Sequence, residues 1–165
     1  MAYDPIICTG DIYNIGVSMY DLGYWFVDHF PKGDVTRKGL CENLIMWFKA
    51  IRKLSVRPRM ILIDGDFVTK NPYPKRIDIL CVFRSQIEAE RIKQTSQWSK
   101  HVYELYYNAE MEYGCFVHGF QVCGDIGLDM ELYWEAIKIF GRKGEKKRAR
   151  IFKISIDDQE RGSQR

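Results

Sequence analysis

Met60-Ile-Leu-Ile-Asp-Gly-Asp-Phe-Val68 and Arg76-Ile-Asp-Ile-Leu-Cys-Val-Phe83 are the two stretches that decide the fold of this chain. Each is a short run rich in Ile, Leu and Val, which is typical of strands buried in a sheet. The segment between them contains Asn71-Pro-Tyr-Pro74, and such proline-rich segments form loops. Gly65 ends the first strand, and the carboxylate of Asp78 lies two residues into the second. The sequence therefore predicts two buried strands joined by a loop, with polar groups at its ends.

The composition of the chain is that of one folded domain. It has 165 residues, of which 46% are hydrophobic and 14% aromatic, enough to build a core. The formal net charge is only +3, so no strong global field favours a nucleic acid or a membrane. No apolar run reaches the roughly 18–20 residues of a membrane span, and the first residues lack a signal-peptide pattern. We expect no membrane partner.

Five cysteines are spread along the chain, and none forms a Cys-x-x-Cys pair. Most lie inside apolar runs, where free thiols pack as small hydrophobic side chains. Reduced core thiols are typical of proteins from reducing compartments. The sequence therefore indicates a cytoplasmic protein without disulfides.

Hydrophobic periodicity predicts the remaining elements. They are a helix over 19–30, a helix from a cap at Asp34 or Thr36 to Leu54, one long helix over 85–112, a strand over 114–123, a helix over 129–140 and a final strand over 150–156. A basic turn over 141–147 precedes that strand, and residues 157–165 are expected to be disordered. Together these elements predict a single α+β domain over residues 1–156, with a small mixed sheet and helices mainly on one side.

The order of these motifs resembles that of the DNA polymerase beta-like nucleotidyltransferase fold. In that fold a Gly-Ser pair ends one strand, and an Asp-x-Asp pair follows on the next. Over residues 10–156 the chain resembles a family of small bacterial nucleotidyltransferase-like proteins of unassigned function. The resemblance rests on the segment 63–79, and more weakly on Phe140-Gly-Arg-Lys-Gly144 with the strand that follows it.

The resemblance implies a set of candidate site residues. Active members of the fold hold two Mg²⁺ ions between carboxylates of neighbouring strands, and the ions bridge the nucleotide phosphates. By this likeness Gly65, Asp66 and Arg76 are candidate nucleotide-binding residues. Asp78 is the candidate catalytic residue and metal ligand, and Asp66 and Asp64 are further candidate ligands. The implied cofactor is Mg²⁺ if the protein is active, and none otherwise.

The chain departs from the active pattern at three places. Asp66 stands where Ser is expected and would repel phosphate oxygens. Arg76 replaces the first metal-binding Asp and puts a cation where a cation should bind. The predicted strand over 114–123 contains no Asp or Glu, and His118 is the residue there most typical of a metal ligand or general base. We therefore expect Asp66 and Arg76 to pair directly, with Asp78 sharing the guanidinium, in place of a metal ion.

Two other features leave alternatives open. The densest positive charge is a basic patch, which either contacts phosphates of a nucleotide or RNA or is a solvated hairpin. Its residues are Arg142, Lys143, Lys146, Lys147, Arg148 and Arg150. The tyrosine-rich run 103–107, with Tyr113, is either a packing face or a protein interface.

Three functions are compatible with these residues. The first is a degenerate nucleotidyltransferase-like domain, a pseudoenzyme that binds a protein or a nucleotide. The second is an active Mg²⁺-dependent nucleotidyltransferase that modifies a protein, an RNA or a small molecule. The third is an RNA-associated module that uses the basic hairpin. We expect a protein partner or a homo-oligomer. Small domains of this fold occur in toxin–antitoxin and phage-defence systems, so that context is a hypothesis by analogy.

Overall fold

Among the residues that the structure describes, four strands form one mixed sheet: β1 (Met60–Asp64), β2 (Ile77–Phe83), β3 (Cys115–Val122) and β4 (Phe152–Ser155). Their order across the sheet is β3-β2-β1-β4. Strand β1 is antiparallel to both β2 and β4, whereas β2 and β3 are parallel. The sheet and its helices confirm the predicted α+β class, and all four strands lie where the sequence predicts them.

A computed structural model describes residues 19–28, 35–68, 71, 73–122, 139 and 152–156. Almost all of the helix expected over 129–140 lies outside the described residues. So do the basic turn over 141–147, all six residues of the basic patch, and residues 157–165. In the part of the chain that the structure describes, no helix is long and apolar enough to cross a membrane.

The helix with the clearest periodicity is α1 (Val35–Arg52), as predicted. Its buried stripe includes Leu44, Trp47 and Ile51, each with no exposed surface. Full burial of one such side chain contributes about 1.5–3 kcal/mol to folding. Trp47 Nε1 also donates a hydrogen bond of 2.7 Å to the carbonyl of Leu105. This helix is therefore fixed to the core by both apolar packing and a buried hydrogen bond.

The single long helix predicted over 85–112 is wrong. The chain forms three helices there: α2 (Gln86–Thr95), α3 (Lys100–Tyr106) and α4 (Ala109–Tyr113). Ser99 adopts an extended backbone, and its hydroxyl accepts a hydrogen bond from the amide of Val102, so it caps α3. Trp98 and Met111, which a continuous apolar stripe would bury, are 78% and 82% exposed. A capping serine thus outweighs the helical periodicity around it.

The N-terminal helical segment (residues 19–28) is also less regular than the predicted helix over 19–30. It comprises a 3-10 turn at Met19–Asp21 and a π-helical turn at Tyr24–Asp28. Gly23 lies between them, and glycine weakens an α-helix because its backbone is unusually free. The segment nevertheless packs into the core through Leu22 and Phe26, which are fully buried.

The central strands β1 and β2 are buried on both faces. Ile61, Ile63 and Ile79 belong to the core that the helices cover. Leu62 and Leu80 alternate with them along the strands and are also fully buried. Burial on both faces explains why the two stretches are continuously apolar rather than alternating.

Candidate functional site

Two carboxylates meet where β1 ends and β2 begins. Asp64 and Asp78 are directly opposite each other in the antiparallel pairing, so their side chains leave the same face of the sheet. Asp64 is only 1% exposed, and the side chain of Asp78 is 14% exposed. The pairing thus gathers two candidate metal ligands at one end of the sheet.

The carboxylate of Asp78 is engaged by two side chains on the same oxygen. Its Oδ1 lies 3.1 Å from Arg76 Nε and 2.7 Å from His118 Nε2. An ionised carboxylate can only accept hydrogen bonds, so His118 donates through Nε2. The side chains of His118 and Asp78 are only 17% and 14% exposed, and partial burial strengthens such a bond. The carboxylate of Asp78 is therefore held from two sides.

A β-bulge in β3 gives His118 its position. Ile79 is paired with Val117 and Leu80 with Gly119, so His118 is the extra residue of the bulge. A bulge bends the strand and redirects a side chain, and bulges are frequent beside functional sites. Gly119, inside the strand, was the available signal, because an internal glycine often marks a bulge.

The guanidinium of Arg76 has a second carboxylate partner and an aromatic one. Its Nη1 lies 3.5 Å from Oε1 of Glu110, on α4. The Cζ atom of Arg76 lies 4.3 Å from the centre of the Phe116 ring. That ring meets the His118 ring edge-on, with 4.7 Å between the two ring centres. Because the Arg76 side chain is 39% exposed, each of its ion pairs contributes at most about 1 kcal/mol. Together these contacts fix its position.

The direct pair expected between Asp66 and Arg76 is replaced by other contacts. Arg76 pairs with Asp78, as expected, and with Glu110. Asp66 is exposed and accepts a hydrogen bond of 3.1 Å from the side-chain amide of Asn71. The adjacent loop therefore holds Asp66, and the second strand holds Arg76.

A cavity of about 330 Å³ lies between these groups. It is lined by Gly65, Asp66, Lys75, Arg76, Asp78 and Glu110. Four of these residues are sequence-predicted site residues, and the structure brings them together. Asp64 is instead buried. Within the described ranges, no group of three or more His, Cys, Asp or Glu residues is arranged to hold a metal ion.

Gly65 closes one side of this cavity, and no other residue fits its position. Its φ angle is +88°, a conformation that side chains strongly disfavour. A Cβ atom there would overlap Oδ2 of Asp78 and lie 2.9 Å from the carboxyl carbon. The backbone of Gly65 is thus approached closely by the protein's own carboxylate.

Sequence reasoning missed two residues of this region, Glu110 and Arg37. Glu110 resembles any exposed glutamate on a charged helix, so no local signal distinguishes it. Arg37 follows a helix start and reads as a surface residue, yet it is fully buried. It donates to the backbone carbonyls of Phe67 at 2.7 Å and Asn71 at 3.1 Å. Arg37 thereby fastens the loop that follows β1 to α1.

The described part of the chain is an α+β domain with a polar cavity where β1 ends and β2 begins. A protein-family model described as "Family of unknown function (DUF6932)" matches residues 11–153 of the sequence, so the chain belongs to that family. No curated protein and no solved structure matches the chain.

Proposed function

We propose that this protein is a nucleotidyltransferase-like domain that has lost nucleotide transfer and acts as a binding module. The observation that carries the proposal is the engagement of Asp78. One of its oxygens is bound by Arg76 and His118, and the other lies against Gly65. The carboxylate that would hold a catalytic metal is thus already used within the protein.

The charges around Asp78 also oppose a divalent ion. Mg²⁺ requires several hard oxygen ligands in near-octahedral geometry and gives up its waters reluctantly. An ion beside Asp78 would have to displace the guanidinium of Arg76, and that guanidinium is also paired with Glu110. Like charges this close repel strongly in a partly buried site. Metal binding would therefore break contacts that the fold has already made.

The cavity favours a basic partner over a nucleoside triphosphate. Its lining holds three carboxylates and two basic groups, and Arg76 is paired with two of those carboxylates. A triphosphate would face Asp66 at the mouth of the cavity, because that residue is exposed. A protein partner that presents a lysine or arginine would meet complementary charge instead. We therefore infer that the ligand is a protein.

The transfer reaction is tested first. The protein is titrated with ATP, GTP, CTP and UTP in the presence of Mg²⁺ in a calorimeter, and transfer of radiolabelled nucleotide is followed in cell extract. The expected result is neither metal-dependent heat nor incorporated label. Metal-dependent binding together with label that disappears in Asp78→Asn would overturn the proposal in favour of an active transferase.

The binding role is tested by reversing charge at the cavity. Tagged protein is expressed in its native host, and co-purified proteins are compared between the wild type, Glu110→Lys and Asp66→Lys. Glu90→Lys is the matched control, because Glu90 lies on α2, outside the cavity lining, and pairs with exposed Gln86 and Lys93. We expect a stoichiometric partner that both cavity variants lose and the control retains. A partner retained by all variants would contradict recognition at this cavity.

A further inference from the structure

A second cavity, of about 500 Å³, lies between the N-terminal helical segment and α1. It shares no lining residue with the cavity around Asp78. Its apolar wall is formed by Met19, Val27, Cys41, Ile45 and Phe48. The volume falls within the range of about 300–1,000 Å³ that is usual for small-molecule sites. We call this cavity the α1 groove.

The α1 groove is elongated. On the α1 side its lining runs from Lys38 to Arg52, which at 1.5 Å per residue is about 21 Å along the helix axis. Gly23 lies on the opposite wall, and a Cβ atom there would meet nothing within 4 Å. The missing side chain leaves space in the middle of the groove. A long, narrow apolar body fits this shape better than a compact ring system.

The two ends of the α1 groove carry different charges. Lys49 and Arg52 lie at one end, one turn apart on α1, and the Arg52 guanidinium lies 5.8 Å from the centre of the Phe48 ring. The opposite end holds one basic residue, Lys38, and two acidic groups beside Cys41, so negative charge is in excess there. Burial, followed by the charges of Glu42 and Asp28, raises the pKa of the Cys41 thiol to about 11. An elongated anion would therefore orient its charged head toward Lys49 and Arg52.

We propose that the α1 groove binds an alkyl carboxylate, with its chain along Val27, Ile45 and Phe48 and its carboxylate at Lys49 and Arg52. Apolar burial supplies about 0.8 kcal/mol per methylene group, and the basic end supplies orientation by charge-assisted hydrogen bonds. The occupant is a free fatty-acid-like anion. Neither the chain nor the head requires any contact with the cavity around Asp78.

The experiment uses the full chain and a dansylated undecanoic acid as the fluorescent probe. We expect saturable binding of the probe, and displacement by dodecanoate at a concentration at least tenfold lower than that of dodecanol. The double variant Lys49→Gln, Arg52→Gln is expected to bind dodecanoate about tenfold more weakly. Equal displacement by dodecanol would overturn the assigned head-group contacts.

Two glycine variants separate the groove from the rest of the fold. Gly23→Leu places a side chain into the open space and is expected to abolish probe binding. It should fold normally, because leucine favours helix more than glycine does. Gly39→Leu is the matched control, since a Cβ there also meets nothing within 4 Å but the residue does not line the groove.

The outcomes for these variants are distinct. Retained binding in Gly39→Leu with lost binding in Gly23→Leu, at unchanged melting temperatures, supports the proposal. Unchanged binding in Gly23→Leu overturns it. Binding to vesicles of anionic phospholipid without competition by dodecanoate also overturns it, because the ligand would then be a membrane surface. If Gly23→Leu unfolds, Ile45→Glu, on the half-buried wall, serves in its place with the same expected loss.

Discussion

Arg37 bonds to the loop between β1 and β2, Arg76 lies at the end of that loop, and the two are held in different ways. Arg37 has no exposed surface and donates to backbone carbonyls of Phe67 and Asn71. Arg76 is 39% exposed and binds the side-chain carboxylates of Asp78 and Glu110. One arginine therefore fixes the backbone, whereas the other neutralises charge in an open cavity.

The difference teaches which part of the site is structural. A buried guanidinium bonded to carbonyls cannot be exchanged without leaving several acceptors unsatisfied. A half-exposed guanidinium bonded to carboxylates can be exchanged at small cost to folding, because water can replace it. The contacts of Arg37 with the loop are thus needed for folding, whereas the charge at residue 76 can be replaced with little loss of stability. Substitutions at the two arginines and their partners should separate these roles.

The largest effect is expected for Arg37→Met, which keeps an extended side chain but removes every hydrogen-bond donor of the guanidinium. The carbonyls of Phe67 and Asn71 would lose the guanidinium as a donor, and each buried group left unsatisfied costs about 1–3 kcal/mol. We expect the free energy of unfolding to fall by about 3 kcal/mol or more. Urea denaturation measures it, with Arg37→Lys as a partial rescue that cannot span both acceptors. A loss below 1 kcal/mol in Arg37→Met would remove the contrast between the two arginines.

A smaller loss is expected for Asp78→Asn, which preserves shape and packing against Gly65. The variant loses the charge that holds Arg76 and His118, and hydrogen bonds to charged groups contribute about 1.5–3 kcal/mol when partly buried. We expect a loss of about 1–2 kcal/mol in the same denaturation assay. A double-mutant cycle with His118→Gln isolates the coupling. Simple additivity in that cycle would show that the 2.7 Å contact does not stabilise the fold.

The smallest effect is expected for Asp66→Ser, which introduces the residue type that the proposed likeness to nucleotidyltransferases would place there. Asp66 is exposed and contacts Asn71 rather than Arg76. Surface substitutions of this kind usually change stability by less than about 0.5 kcal/mol. We expect an almost unchanged melting temperature by differential scanning fluorimetry, and no gain of nucleotide transfer. A loss comparable to that of Asp78→Asn would show that Asp66 helps to hold the guanidinium of Arg76.

The sequence predicts those features of the structure that are determined by residues close together in the chain. Strand β2 and helix α1 follow from uninterrupted apolar patterns, and Gly65 follows from its place at a strand end. The break at Ser99 was missed because a single cap competes with a long periodic pattern. Of the two predicted partners of Arg76, Asp78 is present, whereas Glu110 stands in place of Asp66. Glu110 is distant in sequence and becomes adjacent only when α4 packs beside β3. Long-range pairings of this kind depend on tertiary packing rather than on local residue types.

The burial of Arg37 could likewise not be predicted from the sequence. Nothing near it in sequence indicates burial, because its acceptors are the backbone carbonyls of Phe26, 11 residues away, and of a loop 30 to 34 residues away. Backbone groups carry no residue-specific signal, since every residue supplies one. The candidate carboxylate Asp78 was identifiable because its residue type and spacing carried the signal. The sequence also indicated His118, but its contact with Asp78 and the pairing of Glu110 with Arg76 are visible only in the folded structure.

The central claim is that the cation of Arg76 stands in the place of a metal beside Asp78. Arg76→Asp tests it most directly, because it removes that cation and adds a carboxylate next to Asp78 and Glu110, which is the ligand type that Mn²⁺ and Mg²⁺ prefer. Mn²⁺ binding is measured by electron paramagnetic resonance for the wild type, Arg76→Asp and the control Arg76→Asn. We predict a saturable Mn²⁺ site in Arg76→Asp alone. Equally tight Mn²⁺ binding by the wild type would contradict the account.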